Sequence, residues 1–273
     1  MNDIKKIILE SLAEDMPNGD ITTDNLDLDF ISTGYFIAKD EMILSGIEIA
    51  KEVFLTVDEN VSFIRFRKDG DKVSKKDVIA KVTGKTSSLL KAERTALNLL
   101  QRMSGIATKT STFTEAIKKY ETKILDTRKT VPGLRILDKK AVLDGGGVNH
   151  RFSLSDQVLI KDNHIKAAKS ITNAVKLIKE KVSHDIKTEV EVETFEELIE
   201  ALNTEVDIIM LDNMDLELMK KCVKENNKKK LLEASGNMTI DRVVDVAKIG
   251  VDFISVGELT HSVKAADISF KIE

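Results

Sequence analysis

The sequence of 273 residues has a single cysteine, no long apolar run and no excess of positive charge. One thiol, Cys222, cannot form an internal disulfide or a cysteine-based zinc cluster, so we interpret it as a plain buried or surface thiol. No segment approaches the roughly 18 apolar residues of a membrane span. A formal net charge of -4 argues against a nucleic-acid-binding protein, because that role requires a basic face. We therefore expect neither a membrane nor a nucleic acid as partner.

The remaining composition is typical of a soluble globular protein, with 42% hydrophobic and 32% charged residues. The chain is long enough for one large or two modest domains. Its first residues, MNDIKKIILESLAED, become acidic and do not end in a small-residue cleavage site. We therefore expect a cytoplasmic protein in which any cationic pocket is local.

The N-terminal part predicts a small unit of helices and strands. The segment IKKIILESLAED has apolar residues at helical spacing, and MPNGDITTDN supplies turn residues. Alternating stretches in GYFIAKDEMILSG and SFIRFRKDGDKVSKKDVIAKVTG predict strands. A long helix is predicted in SSLLKAERTALNLLQRMSG, with Gly105 near its end.

Beyond that helix, apolar runs alternate with amphipathic segments. Six runs predict strands: KILDTR, QVLIKDN, KTEVEVE, VDIIMLDN, KKLLEASG and VDFISVGEL. Apolar strands that are linked by helices are typical of parallel sheets. Six strands occupy about 150 residues, whereas a full eight-stranded barrel takes about 250. We therefore predict an α/β fold with an incomplete barrel, and an open doubly wound sheet is the alternative.

The predicted strands end in polar and charged residues, which in parallel α/β folds line the face that holds the active site. Arginine and lysine side chains there suit a ligand with several negative groups. The carboxylates of Glu191 and Asp212 suit magnesium or ribose hydroxyls. The late loops EASG and SVGELT resemble the phosphate-binding loops of barrels. The cationic candidates are Arg94, Arg128, Lys129, His150, Arg151 and Lys161.

The segment GGGVNHR, residues 145–151, joins three glycines to a histidine and an arginine. Glycine allows backbone conformations closed to other residues, so we expect a tight turn that brings His150 and Arg151 to the ligand. The competing interpretation of His150 is a structural hydrogen bond in a plain loop. For His164 both interpretations stay open, and His261 is interpreted as structural.

Seven motifs in order, DTRKTVPGLR, GGGVNHR, LIKDNHI, EVEVET, MLDN, LEASGN and VGELTHSV, resemble the quinolinate phosphoribosyltransferase (decarboxylating) family. The segments NGDITTDNL, LSGIEIAKEVF and ERTALNLLQRMSGIAT fit the same family. The resemblance implies an N-terminal α/β sandwich domain over 1–108 and an incomplete (β/α) barrel with the active site over 109–273. A return of the last residues to the first domain is left open. The resemblance also implies a homodimer with shared active sites.

The resemblance further implies a reaction of NAD biosynthesis. Quinolinate and phosphoribosyl pyrophosphate give nicotinate mononucleotide, pyrophosphate and carbon dioxide, with Mg²⁺ as cofactor. Carried over residue by residue, the implied sites are Arg128, His150, Arg151, Lys161 and the partner subunit's Arg94 for quinolinate; Lys129 for pyrophosphate; Glu191 and Asp212 for the ribose and Mg²⁺, directly or through water; and Ser235, Gly236 and Gly257 for the 5′-phosphate. The implied catalytic residues are Lys129, Glu191 and Asp212.

Two residues depart from the family pattern. Asp144 stands where a neutral or basic residue is expected, and Lys140 replaces an aromatic residue; we expect Asp144 to point away from the ligand. Two other functions are weighed: a phosphoribosyltransferase for another acid, such as nicotinate, and a non-catalytic anion-binding protein. The number of cations favours an acid with two carboxylates. The two carboxylates of the site argue against a simple anion-binding protein.

Overall fold

The computed structural model describes residues 3–273, which form two units. Unit 1 contains the chain up to Ser111, together with Thr130–Gly146 and Leu259–Glu273, and unit 2 contains Thr112–Lys129 and Gly147–Glu258. The sequence predicts a barrel over residues 109–273 and leaves open a return of the last residues to the first domain. In the structure, Thr130–Gly146 and Leu259–Glu273 group with unit 1. Within residues 3–273, no helix is both long enough and apolar enough to cross a membrane.

Helices and strands follow one another along most of the chain. The helices are α1 (Asp3–Asp15), α2 (Ile47–Val57), α3 (Thr86–Ile117), α4 (Arg135–Asp144), α5 (Asp162–Ala168), α6 (Ile171–Lys179), α7 (Phe195–Leu202), α8 (Leu216–Asn226), α9 (Ile240–Ile249) and α10 (Glu258–His261). The strands are β1 (Ile31–Ala38), β2 (Met42–Ile43), β3 (Ser62–Arg65), β4 (Lys72–Val73), β5 (Val78–Lys85), β6 (Lys123–Leu125), β7 (Val158–Ile160), β8 (Thr188–Val192), β9 (Ile208–Asp212), β10 (Leu231–Ser235), β11 (Phe253–Ser255) and β12 (Ile268–Ile272).

Unit 1 contains a four-stranded antiparallel sheet of order β12-β1-β5-β3. Along β1, buried positions alternate with more exposed ones, as expected of a strand with one covered face. Four rings pack together in this unit, with centroids 4.9 to 6.1 Å apart: Phe36, Phe54, Phe63 and Phe270. Gly34 leaves room for them, because a Cβ atom there would lie 2.1 Å from the Phe270 ring.

The long helix extends further than the sequence predicts. The prediction ends it near Gly105, but α3 continues to Ile117. A Cβ atom at position 105 would lie 2.3 Å from the carbonyl oxygen of Lys264. Gly105 therefore permits a close approach of two backbone segments within unit 1, and it does not end the helix.

All six strands predicted for the barrel form, and they pair in one parallel sheet of order β6-β11-β10-β9-β8-β7. Helices connect the successive strands from β7 to β11. Among the described strands, β6 and β7 lie at opposite ends of the order, so the ladder does not close. The predicted α/β fold with an incomplete barrel is confirmed. The C-terminal ends of its strands lie at one edge of the sheet.

The glycines of the segment 145–147 follow directly on α4. Gly146 has a φ of 84°, which is the left-handed region that favours glycine. At Gly145 a Cβ atom would lie 2.4 Å from the Ala107 carbonyl oxygen. After the glycines, Val148 forms an isolated parallel bridge with Leu125, the last residue of β6. One glycine thus provides the turn and another provides the close packing.

The two departures from the family pattern contact each other. Lys140 Nζ lies 2.6 Å from a carboxylate oxygen of Asp69 and 2.6 Å from one of Asp144. The Ser45 hydroxyl donates to Asp144 over 2.6 Å. Burial opposes the charge of Lys140, but its hydrogen bonds to Asp144 and Asp69 outweigh that effect and raise its pKa. Lys140 and Asp144 therefore belong to one ion-pair network within unit 1.

A second ion pair of unit 1 joins two helices. Asp138 on α4 is fully buried, and Arg102 on α3 donates two hydrogen bonds of 2.9 and 2.7 Å to its carboxylate. The backbone N–H of Val131 donates to the same carboxylate over 3.3 Å. Three donors thus stabilise one buried charge.

We expect Asp138→Asn to lower the free energy of unfolding by about 3–5 kcal/mol, because breaking a buried pair leaves one charge uncompensated. The urea-unfolding midpoint, followed by circular dichroism, measures this change. Glu217→Gln breaks an exposed pair with Lys220 and serves as the control, for which we expect no measurable shift. Equal midpoints for the two variants would contradict the role assigned to Asp138.

Candidate active site

The structure places the predicted barrel residues at the C-terminal edge of the unit 2 sheet. Because the strands are parallel, residues that follow different strands meet at this edge. In chain order they are Arg128 and Lys129 after β6, Lys161 directly after β7, Glu191 within β8, Asp212 at the end of β9, Ser235 at the end of β10, Gly236 after it, and Gly257 two residues after β11. His150 and Arg151 lie between α4 and β7.

Two arginines of this edge lie close together. Burial lowers the pKa of the Arg151 guanidinium, and the neighbouring positive charge of Arg128 lowers it further. Arg151 is only 8% exposed. The Nε atom of Arg128 is buried and has no hydrogen-bond partner among the described residues. A buried donor beside a second guanidinium is the arrangement that a negatively charged ligand would satisfy.

Lys161 and the two carboxylates form the neighbouring part of the site. Lys161 Nζ donates to Glu191 Oε1. Burial raises the pKa of the Glu191 carboxyl, and the nearby carboxylate of Asp212 adds to the rise, although Lys161 opposes it. Asp212 Oδ2 accepts a hydrogen bond of 3.0 Å from the Asn213 side chain. Two acidic side chains close enough for one to raise the pKa of the other favour a bound cation or sugar hydroxyls.

The loop after β10 depends on a glycine. Gly236 has a φ of 101°, and a Cβ atom there would lie 2.1 Å from Asn213 Oδ1. The backbone N–H of Asn213 in turn donates to the Ser235 carbonyl oxygen over 3.1 Å. The loops after β9 and β10 are therefore packed tightly against each other, which fixes the place of Ser235 beside Asp212, its partner in the sheet register.

The ring of His150 is enclosed by protein groups. Its Nδ1 accepts a hydrogen bond of 2.7 Å from the backbone N–H of Arg151. Its Nε2 lies 3.1 Å from Glu189 Oε2 and 3.6 Å from Glu233 Oε2. Both ring nitrogens thus face protein partners, which agrees with the structural interpretation of this histidine. Its role as a quinolinate ligand stays a prediction.

The sequence analysis missed the two carboxyl groups beside this histidine. Glu189 is 0% exposed and Glu233 is 1% exposed. Burial, together with the negative charge of Glu189, raises the pKa of the Glu233 carboxyl well above its ordinary value. A signal for both was available, because each stands inside a short apolar strand, in TEVEV and LLEAS. A glutamate is almost never fully buried unless it is paired.

The remaining predicted residues lie in other places. Arg94 lies on α3 in unit 1 with an exposed side chain, and its contribution to a partner subunit stays a prediction. His164 Nδ1 accepts a hydrogen bond of 2.9 Å from the Lys161 backbone N–H, so this histidine orders the start of α5. His261 Nδ1 lies 2.7 Å from the hydroxyl oxygen of the next residue.

Cys222 is buried, which raises the pKa of its thiol to about 11 and makes a reactive thiolate unfavourable.

The sequence matches two family models that together cover most of the chain. Residues 20–104 match the N-terminal domain of quinolinate phosphoribosyl transferase, and residues 106–271 match its C-terminal domain. The chain is 43% identical over 269 residues to a probable nicotinate-nucleotide pyrophosphorylase (carboxylating) of Bacillus subtilis, covering 98% of this chain and 93% of that protein. It is 44% identical over 291 residues to a chloroplastic nicotinate-nucleotide pyrophosphorylase of Arabidopsis thaliana, covering 99% of this chain and 83% of that protein.

A solved structure shows the same fold over the whole length. The nicotinate-nucleotide pyrophosphorylase of Francisella tularensis has a TM-score of 0.96 and 42% sequence identity, and the match covers 100% of this chain and 96% of that chain. The domain matches, the identity to the relatives and the shared fold agree with the resemblance carried by the seven motifs. The chain therefore belongs to the quinolinate phosphoribosyltransferase family.

Proposed function

We propose that the chain transfers the phosphoribosyl group of phosphoribosyl pyrophosphate to quinolinate and removes one carboxylate, giving nicotinate mononucleotide, pyrophosphate and carbon dioxide in NAD biosynthesis. Family membership supports this activity. The observation that carries it is the closeness of Arg128 and Arg151, whose positive charges repel each other. An acid with two carboxylates relieves that repulsion better than an acid with one.

The acid is bound by the cations at the strand ends. Arginine matches a carboxylate with two parallel hydrogen bonds, whereas lysine supplies a compact point charge. The unpartnered Nε of Arg128 and the buried guanidinium of Arg151 fit the first role. Lys161 fits the second role. Its ammonium group donates a hydrogen bond to Glu191 in the structure. The proposal keeps His150 as a ligand of the acid beside Arg151. It also includes Arg94, which the partner subunit supplies.

The sugar and the cation are bound by Glu191 and Asp212. The residues fit Mg²⁺, because the negative charge of Asp212 lies near enough to Glu191 to raise its pKa, and Mg²⁺ prefers oxygen ligands. When bound, Mg²⁺ neutralises the charge that develops on the pyrophosphate. Glu191 and Asp212 also face the positive charge that develops on the sugar, so they stabilise it and hold the ribose hydroxyls.

Two further groups bind the phosphates. Lys129 follows β6 on the same loop as Arg128, and its exposed ammonium group binds the departing pyrophosphate. Ser235, Gly236 and Gly257 bind the 5′-phosphate of the sugar. The tight packing at Gly236 keeps the loop backbone fixed, which suits a phosphate held by N–H groups.

The reaction requires that the two substrates are held in a fixed orientation, and it requires no nucleophilic side chain. The ring nitrogen of quinolinate attacks the anomeric carbon, and the bond to pyrophosphate breaks. The nitrogen is then part of a cationic pyridinium ring, which accepts the electron pair left on the ring carbon when the adjacent carboxylate leaves as carbon dioxide. A proton then adds to that carbon. The side chains of the site hold the two reactants in the required orientation.

The assembly and the compartment belong to the same proposal. A homodimer places Arg94 of one subunit in the site of the other, which gives an exposed arginine on α3 a function. The chain acts in the cytoplasm.

Purified protein is expected to release carbon dioxide from carboxyl-labelled quinolinate when phosphoribosyl pyrophosphate and Mg²⁺ are present. EDTA is expected to stop the release, and excess Mg²⁺ to restore it, because the donor site needs a cation to balance its acidic groups. Turnover of nicotinate but not of quinolinate would replace this activity with that of a related transferase. Binding of quinolinate without turnover would favour a non-catalytic anion-binding protein.

Arg128→Met is expected to raise the KM for quinolinate about 10- to 100-fold, because a charge-assisted hydrogen bond contributes about 1.5–3 kcal/mol. The KM for phosphoribosyl pyrophosphate should change less than threefold. Lys220→Met removes an exposed cation on α8 and is the control, with both constants unchanged. Equal increases in the two constants of Arg128→Met would contradict the placement of this arginine at the acid.

Mixing two inactive variants tests the shared site. Arg94→Ala removes the arginine supplied to the partner, and Asp212→Asn removes a carboxylate of the barrel. After subunit exchange, an equal mixture is expected to regain about a quarter of the wild-type activity, because half the dimers are mixed and each has one intact site. Size-exclusion chromatography confirms that the subunits have exchanged. A mixture of exchanged dimers without activity would disprove a site shared between subunits.

A further inference from the structure

Arg151 is held at two points by groups that lead to the same carboxylate. Its backbone N–H donates to His150 Nδ1 over 2.7 Å, and His150 Nε2 lies 3.1 Å from Glu189 Oε2. Its side-chain Nη1 donates to the Gln157 carbonyl oxygen over 3.2 Å. The Gln157 side chain donates to Glu189 Oε2 over 2.9 Å. Both the backbone and the guanidinium of Arg151 are thus connected to Glu189.

The hydrogen-bond pattern fixes one tautomer of His150. Nδ1 accepts a hydrogen bond from the Arg151 N–H, so this nitrogen carries no hydrogen. In the neutral ring the hydrogen is therefore on Nε2, which lies at hydrogen-bond distance from Glu189 Oε2. Glu189 Oε2 accepts from both His150 and Gln157, and a carboxylate oxygen has two lone pairs for this purpose. The arrangement is therefore satisfied only while position 189 offers an acceptor.

Glu233 is a second buried carboxyl group beside this acceptor. The carboxyl oxygens of Glu189 and Glu233 lie within 4.8 Å of each other and of His150 Nε2. Burial and the charge of Glu189 raise the pKa of the Glu233 carboxyl well above its ordinary value.

We infer that Glu189 is a positioning residue for quinolinate binding: it fixes the orientation and tautomer of His150 and the place of Gln157, and through them it sets the place of Arg151. The inference rests on the proposed function, because it concerns the affinity for the acid. It assigns a role to a residue that touches neither substrate. His150 and Gln157 transmit the effect within unit 2.

The change in quinolinate affinity on loss of Glu189 has opposite signs for a positioning role and for a purely electrostatic one. Glu189 carries negative charge near Arg151. Removing a nearby negative charge by itself strengthens the binding of an anion. Removing the hydrogen-bond acceptor releases His150, Gln157 and Arg151 and weakens that binding. A positioning role therefore predicts a loss of quinolinate affinity against the electrostatic trend.

The first test is on the ligand-free wild-type protein. With ¹⁵N-labelled histidine, the four imidazole groups are recorded by NMR, and the His150 signals are assigned by their loss in His150→Gln. We expect a His150 ring protonated at Nε2 and not at Nδ1. A ring protonated at Nδ1 would overturn the inference. Because this measurement uses no substrate, it stays decisive even where the proposed activity fails.

The second test compares three substitutions. Glu189→Leu removes the acceptor and is expected to raise the KM for quinolinate at least tenfold, with less than threefold change in the KM for phosphoribosyl pyrophosphate. Glu189→Gln keeps an acceptor oxygen at the same place and is expected to restore the quinolinate KM to within threefold of wild type. Glu196→Leu, at an exposed position on α7, is the control and leaves both constants unchanged.

Three results would overturn the inference. The first is a lower quinolinate KM in Glu189→Leu. It would show that the negative charge of Glu189, and not the position of Arg151, determines the affinity for quinolinate. The second is an equal loss in Glu189→Leu and Glu189→Gln, which shows that the acceptor oxygen is not the required feature. The third is one equivalent of a divalent metal that survives EDTA in the wild type and is lost in Glu189→Leu, which makes the cluster a metal site.

Discussion

The closeness of the Arg128 and Arg151 guanidinium groups is the constraint on which the site depends. Two like charges in a partly buried place destabilise the protein unless other groups offset them. Glu189 and Glu191 supply negative charge near Arg151. Under the proposed function, a dianionic substrate supplies more negative charge when it binds, whereas an acid with a single carboxylate leaves one guanidinium unmatched. We therefore propose that the repulsion between the two arginines is a source of selectivity for a diacid.

The open side of the barrel explains how the second arginine reaches the first. Val148 extends the sheet beside β6: its backbone N–H donates to Ile124 over 2.9 Å, and its carbonyl accepts from Asp126 over 3.1 Å. The His150 N–H then donates to the Asp126 side chain over 2.8 Å. This short segment lies where a further strand would continue the sheet, and it carries Arg151 from the β6 end towards Gln157, which precedes β7. Two backbone hydrogen bonds at Val148 and one from His150 to the Asp126 side chain hold this segment in place of a full strand.

Most of the fold and the strand-end residues could be predicted from the sequence, because apolar runs and their polar ends are local signals. The length of α3 could not, since Gly105 is explained by the approach of a distant carbonyl group. Lys140 and Asp144 each depart from the family pattern when considered alone. The structure shows that the two side chains form an ion pair with each other, which the sequence did not indicate. Glu189 and Glu233 were missed because a glutamate is normally interpreted as facing solvent, and only the three-dimensional contacts show that both face a histidine.

Strand periodicity relates these buried carboxyls to the substrate site. Residues two apart on a strand point to the same face of the sheet and lie about 6.6 Å apart along it. On β8, the fully buried Glu189 is followed at this spacing by the partly exposed Glu191; on β10, the buried Glu233 is followed by Ser235. The same face therefore has two levels. At the deeper level, Glu189 Oε2 accepts from Gln157 and lies beside His150 Nε2, whereas Glu189 Oε1 and Glu233 Oε1 have no hydrogen-bond partner among the described residues. The upper level carries the residues that we propose as ligands of the substrates. We therefore expect a substitution in the deeper level to affect the reaction through the geometry of the upper one.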